Sequence, residues 1–474
     1  MMIKKARSMK NVHYICVIIL VTLCIYSYLL YIQQSHFDIA LQRGGVACLI
    51  HFVLMYFAYM KISGKPFTLY SVFLLSFFLF QCGQYIIFGF DFEYNYWAIN
   101  SLSEQVVFDS LSFSMLCNAA AFGAGVFSFK RKDNFFVSKI NKLNTQNVSS
   151  VANVFFIVFL VIEIPLSLIK FRQVLSSGYH GVRNLEESLP PLFDMFDMLF
   201  VPISILAIVY GVDKRRKLYA YIIVIWSLIT ALCGDRSSGI GGLVVIVLMY
   251  YAGIFKRRRN IAVESKGIDK KKLIIVVLST FLLGYLIMFA YNFRTQTEEQ
   301  IPLLAVVGLV LGELGFSFYP LGLTMETCPS VHDYLYGNGI FFSLISGILP
   351  ISIDPSGTLS SWYELSKESQ SWLYESNAFD YGLGYSLNAE SYANFGHFGC
   401  IWIFVICSLV AKALATVNYS LSTNKFSQYT SIALLFAWFT MPRRSCYYYV
   451  NFYVYIVIII GIALLFFRSN KKIK

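Results

Sequence analysis

Apolar residues in this chain are grouped in runs of about 20, broken by short polar or charged segments, and a helix of that length spans a bilayer. The pattern predicts spans near 13–32, 44–60, 68–90, 107–129, 151–169, 192–211, 218–234, 239–255, 273–291, 392–414, 427–442 and 447–467. The fold class is therefore an all-α polytopic membrane protein of about twelve transmembrane helices. The first run lacks an A-x-A cleavage pattern and is expected to stay as a signal-anchor helix.

One long stretch, 292–391, breaks the rhythm. It divides the chain into nine helices with short loops (1–291), a large late loop (292–391), and three helices with a tail (392–474). The late loop is not polar. Residues 301–325 are nearly all apolar, with Glu313 among them, and 336–350 are apolar with Gly and Pro breaks. Each is expected as a re-entrant or interfacial helix. If both cross, the count becomes fourteen. Irregular backbone at membrane depth is tolerated where it is buried in protein or lines a cavity, so the active cavity is expected here. Residues 354–380 are expected as an exposed segment, where Trp362, Trp372 and Tyr374 suit stacking on sugars or an interfacial belt.

Loop charge gives an orientation. With the N-terminus inside, the cytoplasmic segments hold 29 of the 38 basic residues and only four acids: Asp133, Asp213, Glu264 and Asp269. Positive loops stay on the cytoplasmic side, so both termini are expected there. The net charge of +12 is thus a topology signal, and nucleic-acid binding is a poor reading of it.

Composition agrees. Hydrophobic residues are 57% and charged residues 14%, whereas soluble chains are roughly half apolar and a quarter charged. The ten Cys are scattered without a C-x-x-C, which argues against a metal site or a disulfide framework. No internal repeat stands out, and no Walker loop, H-E-x-x-H or G-x-S-x-G is present, which disfavours an ATP-driven pump or a metalloprotease.

The bases left for the membrane and the outer side are Arg43, Lys170, Arg172, Arg183, Arg236, Arg294, Lys367, Arg443 and Arg444, seven of them Arg; inside, Lys outnumbers Arg 21 to 8. Topology requires only positive charge. The guanidinium adds a planar fork that grips phosphate or carboxylate and keeps its proton. Repeated Arg on the outer face points to a site for an anionic group, or to snorkelling and pairing with outer acids.

Several residues suit chemistry. Gly234-Asp235-Arg236-Ser237-Ser238-Gly239 joins two helices, with Gly241 and Gly242 following; free N–H groups at that helix start beside Arg236 suit a phosphate, or the run is a tight turn. Arg294 follows a helix end as a second clamp or an anchor. His180 and Arg183 fall in an expected outer loop, where the imidazole suits a base. His332 and His397 are lesser candidates. Glu313 and Glu390 are carboxylates at or near membrane depth, expensive enough to be functional candidates or structural partners of Arg. Arg443 and Arg444 follow Pro442 between the last two helices.

Gly312-Glu313-Leu314-Gly315, Tyr336-Gly337-Asn338-Gly339, Pro350, Gly382-Leu383-Gly384-Tyr385-Ser386 and Glu390-Ser391-Tyr392-Ala393-Asn394-Phe395-Gly396-His397-Phe398-Gly399 together resemble the bacterial O-antigen polymerase (Wzy) family. Gly234-Asp235-Arg236-Ser237 resembles that group's small–x–Arg–Ser turn, and the sharp match covers about 230–410. His397 stands where relatives often carry another residue.

The resemblance implies a GT-C-like, O-antigen ligase-like bundle in the bacterial inner membrane, active on the periplasmic face, with no cofactor and no metal. Its partners would be donor and acceptor oligosaccharides on undecaprenyl diphosphate, with a polysaccharide chain-length regulator as a further one. Arg236 and Arg294 would clamp the leaving diphosphate, with Arg183, Arg443 and Arg172 assisting. Glu390, His180 or Glu313 would take the acceptor proton, and Tyr392, Asn394 and Trp372 would meet glycan. An O-antigen ligase is the nearest rival. A flippase would spread charged residues along a path through the bilayer, whereas here they gather towards the outer side.

Overall fold

The computed structural model describes residues 2–64, 68–92, 94–128, 145–211, 213–233, 236–251, 303–349, 357–375, 384–420 and 425–469. Every regular element among them is helical. Seven helices among the described residues are long and apolar enough to cross a membrane: His13–Ile32, Phe37–Ser63, Leu69–Gly89, Glu104–Ser128, Ser149–Ser177, Val307–Thr327 and Leu387–Lys412. Shorter apolar helices are Phe196–Tyr210, Asn338–Ile348 and Cys446–Ile458. The expected spans at 218–234 and 239–255 are helical as far as Leu232 and Tyr251, whereas 273–291 lies outside the described residues. This is the all-α polytopic membrane architecture that the apolar runs predicted.

The chain divides into two compact units. The first comprises Met1–Lys132, Pro302–Asn418 and Met441–Asn451. It opens with α1 (Met2–Ile32), α2 (Phe37–Ser63), α3 (Leu69–Gly89), the single turn α4 (Trp97–Asn100) and α5 (Glu104–Ser128). Helices α2 and α3 touch backbone to backbone, because a Cβ on Gly45 would collide with the Tyr85 carbonyl. At their corner Thr68 and Ser71 cap each other reciprocally, and the Tyr59 hydroxyl meets Thr68 Oγ1 at 2.8 Å. Buried tyrosines find acceptors on α5: Tyr70 donates to the Ala121 carbonyl at 2.6 Å, and Tyr85 pairs with the Ser110 hydroxyl at 2.6 Å.

The apolar stretch at 301–325 becomes α10 (Leu303–Gly315) and α11 (Phe318–Thr327). Pro320 explains the break at 316–317, since its ring would clash with the carbonyl four residues back. The two run on as a 21-residue apolar stretch, long enough to cross. Gly83 and Gly315 bring α10 against α3, and Gln84 Nε2 donates to the Gly312 carbonyl at 3.1 Å. The second apolar part is α12 (Asn338–Ile348), 11 residues. At about 1.5 Å per residue it reaches only about half the ~30 Å hydrocarbon core, the length of a re-entrant or interfacial helix.

Residues 358–375, in the stretch expected as an exposed segment, form a helix, α13 (Thr358–Glu375). Ser366, Ser369, Trp372 and Leu373 are buried on one face while Ser361, Glu364 and Ser371 are exposed, so helical periodicity seats one side on the protein. Helix α14 (Leu387–Phe395) begins five residues before the expected span because Ser386 caps it, its hydroxyl accepting the Ala389 N–H. A 3-10 turn, Gly396–Phe398, leads into α15 (Gly399–Ser420).

The second unit comprises Asp133–Ile301, Tyr419–Thr440 and Phe452–Lys474. It holds α6 (Thr145–Ser188), α7 (Pro191–Tyr210), α8 (Asp213–Leu232), α9 (Arg236–Tyr251), α16 (Lys425–Thr440) and most of α17 (Cys446–Ser469). Its core is aromatic: Phe156 lies against Tyr219 (centroids 4.2 Å), Phe200 against Trp226 (5.1 Å) and Phe436 against Phe452 (5.7 Å). One expectation is corrected here. His180 and Arg183 sit on α6, not in a loop, because that helix continues well past the predicted span end at 169. Phe171, Val174 and Val182 explain the extension: with Ile229 and Cys233 at the end of α8 they form an apolar cluster that holds it as a helix.

Candidate active site

In the first unit, three elements meet around one carboxylate. Glu390 lies in the middle of α14 and is 2% exposed. Its Oε2 accepts the backbone N–H of Cys446 at 2.8 Å, and its Oε1 accepts the Ser343 hydroxyl of α12 at 3.4 Å. Cys446 is the first residue of α17, whose opening N–H groups have no partner within the helix. Glu390 therefore caps α17 from a distant part of the chain, and the positive end of that helix favours the negative carboxylate.

Just before Cys446 runs the 3-10 turn Met441–Arg443, followed by Arg444. Gln81, wholly buried in α3, holds this turn from the other side. Its Nε2 donates to the Pro442 carbonyl at 2.8 Å, and its Oε1 accepts the Ser386 hydroxyl at 3.2 Å. One amide thus links the arginine-bearing turn to the cap of the Glu390 helix. The Tyr449 hydroxyl also donates to Met441 O, and to Arg444 O at 3.3 Å. Arg443 lies beside Gly384, where a Cβ would come within 3.8 Å of its Nε; Gly384 adopts φ +73°, a conformation that glycine accepts without strain. The Arg444 guanidinium lies 3.8 Å over the Tyr448 ring. Tyr385, next to the Ser386 cap, pairs with the Ser369 hydroxyl at 2.5 Å, and burial raises its phenol well above the usual range.

The other predicted residues of this unit fall around the same helix. Asn394, one turn beyond Glu390, donates to the Glu390 carbonyl at 2.8 Å and is wholly buried. Tyr392 is also buried, edge-on to Phe113, Tyr334 and His397. Trp372 is 3% exposed and lies parallel to the His332 ring, with centroids 4.5 Å apart. His397 itself is exposed. Glu313 is half-buried on α10, in the Gly312–Gly315 turn against α3.

The remaining candidates belong to the second unit. Arg172 is exposed on α6, two residues after Lys170, which pairs with Asp197 at 3.0 Å. Arg236 is the first residue of α9. The glycines after it serve packing: a Cβ on Gly239 would come within 2.6 Å of the Ser227 carbonyl, Gly242 meets the Ser227 hydroxyl, and Gly241 faces the Phe436 ring. The side chains of His180, Arg183 and Arg236, and the whole of Arg294, lie outside the described residues.

Sequence reasoning passed over Gln81 and Ser343, which look like ordinary polar residues in or beside apolar runs, and gave Ser386 no role beyond its place in the family motif. It also passed over Glu163, for which a signal existed: a carboxylate inside the predicted span at 151–169. Glu163 is 2% exposed, accepts the Trp226 indole N–H at 2.9 Å and the Ser167 hydroxyl at 3.4 Å, and its second oxygen has no hydrogen-bond partner.

Among the described residues no group of His, Cys, Asp and Glu is arranged to hold a metal ion. Neither the curated proteins nor the solved structures contain a match to the chain. The family described as O-antigen polysaccharide polymerase Wzy matches residues 12–472. With that match spanning nearly every helix, the chain belongs to the O-antigen polysaccharide polymerase Wzy family.

Proposed function

We propose that this protein polymerises oligosaccharide repeat units carried on undecaprenyl diphosphate, at the periplasmic face of the inner membrane. An acceptor sugar hydroxyl attacks the anomeric carbon of the donor glycan. The bond from that carbon to the diphosphate oxygen breaks, the hydroxyl proton passes to a base, and the lipid diphosphate leaves. Stabilising the charge on that leaving group is a large part of such a reaction, and guanidinium forks can supply it.

The observation that carries this reading is the Arg443–Arg444 turn, fastened on one side by Gln81 and on the other through Cys446 to Glu390. Two guanidinium groups on a turn held by buried hydrogen bonds are pre-organised for an anion. Arg236, Arg294, Arg183 and Arg172 are the further cationic groups proposed for the diphosphate. Of the three candidate bases, Glu390 already uses both carboxylate oxygens within the protein. In this reading it acts by holding the turn, leaving Glu313 or His180 to take the proton. The loop charges support a cytoplasmic location for both termini.

The experiment is a gene deletion with inspection of the lipopolysaccharide. Core bearing one repeat unit, with the ladder restored by the wild-type gene, is the expected result. Bare core would indicate a ligase instead, and an unchanged ladder would end the proposal.

A further inference from the structure

A cavity of about 280 Å³ opens beside the Glu390 helix, between the segment 332–342 and α13. Its base is apolar: Leu335, Phe342, Leu365 and Trp372 line it. Two of them, Leu335 and Trp372, pack with Cys328 and Ala393 in a small buried cluster, and the Leu335 N–H donates to the Ala393 carbonyl at 2.9 Å. The cavity wall is thereby pinned directly to α14. Burial, helped by Asp333, pushes the Cys328 thiol up to about 11, so it stays protonated and belongs to the packing.

The rim is polar. Asp333, Asn338 and Glu368 line it with His332 and Tyr334, and among the described residues neither carboxylate is in a salt bridge and the Asn338 side-chain amide has no hydrogen bond. The neighbouring cation, Lys367, lies 4.1 Å over the Tyr363 ring. No Lys or Arg lines the cavity. An apolar base under a few unengaged polar groups is how ligand sites are built. A pyranose matches it on both counts: its C–H face suits the Phe342 and Leu365 side, and its hydroxyls donate to carboxylates and exchange hydrogen bonds with an amide. Two carboxylates with no Lys or Arg beside them repel anionic groups, and the one imidazole of the lining, His332, is stacked on Trp372, so a diphosphate or a uronic acid does not fit.

We infer that the cavity between Asp333, Asn338, Glu368 and Trp372 is a sugar subsite that takes an uncharged pyranose of the repeat unit, separate from the groups that meet the diphosphate. The assignment of that sugar to a lipid-linked repeat unit rests on the proposed polymerase function; the selectivity for neutral sugars rests on the cavity alone.

The test uses the full chain in lipid nanodiscs and saturation-transfer NMR with glucose, galactose, N-acetylglucosamine and glucuronate as probes. At least one neutral sugar is expected to receive saturation, and glucuronate none. Glu368→Gln and Asn338→Ala, both changes at the cavity rim, should weaken that binding by about 10-fold, as expected for one charged or polar contact. No transfer to any neutral sugar, equal binding of glucuronate, or binding unchanged in both variants would overturn the subsite. A second arm complements the deletion strain with the same variants. A shortened ladder at normal protein level is expected. A full-length ladder from variants that no longer bind sugar would remove the subsite from polymerisation. A deletion strain whose own ladder is intact would instead refute the polymerase reading, leaving the NMR result to judge the cavity.

Discussion

The carboxylate of Glu390 accepts the backbone N–H of Cys446 at 2.8 Å, joining residues 56 positions apart. That bond ties the start of α17, and the two arginines just before it, to the buried short helix α14.

Glu390→Gln retains a side-chain oxygen for the Cys446 N–H and an amide that can meet Ser343. The variant should fold at wild-type level and keep a visible lipopolysaccharide ladder. Glu390→Ala leaves the N–H buried without an acceptor, at a cost of about 1–3 kcal/mol plus the cavity, and should lower both the melting temperature in detergent and the protein level. A complete loss of polymerisation in a well-folded Glu390→Gln protein would instead make the carboxylate itself the reacting group.

Gln81→Leu removes the donor to Pro442 and the acceptor of Ser386 together. Two buried groups lose their partner, so a destabilisation of about 2–4 kcal/mol is expected, with a shorter ladder as the arginine turn loosens. Thermal unfolding followed by size-exclusion fluorescence measures the first effect, and gel analysis of lipopolysaccharide the second.

Arg443→Lys and Arg236→Lys keep the charge and lose the fork. Each should cut polymerisation roughly 10-fold or more at unchanged protein level, since a bidentate contact becomes a single one. Normal chain length in either variant would take that residue out of the diphosphate site.

Gly45→Ala drives a methyl into the Tyr85 carbonyl and should cost about 1–3 kcal/mol as α2 and α3 are forced apart. Gly123→Ala is the control. Its Cβ would sit 3.6 Å from the Phe404 ring, an ordinary contact, and replacing a mid-helix glycine should stabilise by about 0.5–1 kcal/mol. Melting temperatures of the two purified variants should therefore move in opposite directions.

Glu163→Gln preserves an acceptor for the Trp226 indole while removing a carboxylate whose second oxygen has no hydrogen bond. The variant should melt no lower than wild type. Glu163→Leu leaves the buried indole N–H unpaired and should melt lower.

Apolar run length announced the helices and the late apolar stretch. Burying 20-odd apolar residues in a bilayer needs no tertiary partner, so that signal is written locally. The same holds for the Arg excess outside the Lys-rich loops. Helix ends were less legible. The run at 151–169 gave no hint that α6 would continue to Ser188, because its extension is held by Ile229 and Cys233 from another helix.

The roles of individual polar residues depended on the tertiary structure. Gln81 and Pro442 are 361 positions apart, and no local pattern brings an amide in α3 to that carbonyl. Glu390 could be singled out from sequence because a carboxylate among apolar residues is costly. Whether its oxygens faced a ligand or a helix start depended on where Cys446 folded back. The glycines after Arg236 suited a phosphate cradle in sequence, and only the approach of Ser227 and Phe436 gave them a packing role. Sequence alone thus determined the membrane class and the candidate charges, since both follow from local composition, and its motifs carried the resemblance to the family. The fold decided which of those charges are held, by what and beside which cavity, because buried hydrogen bonds are made between residues far apart in the chain.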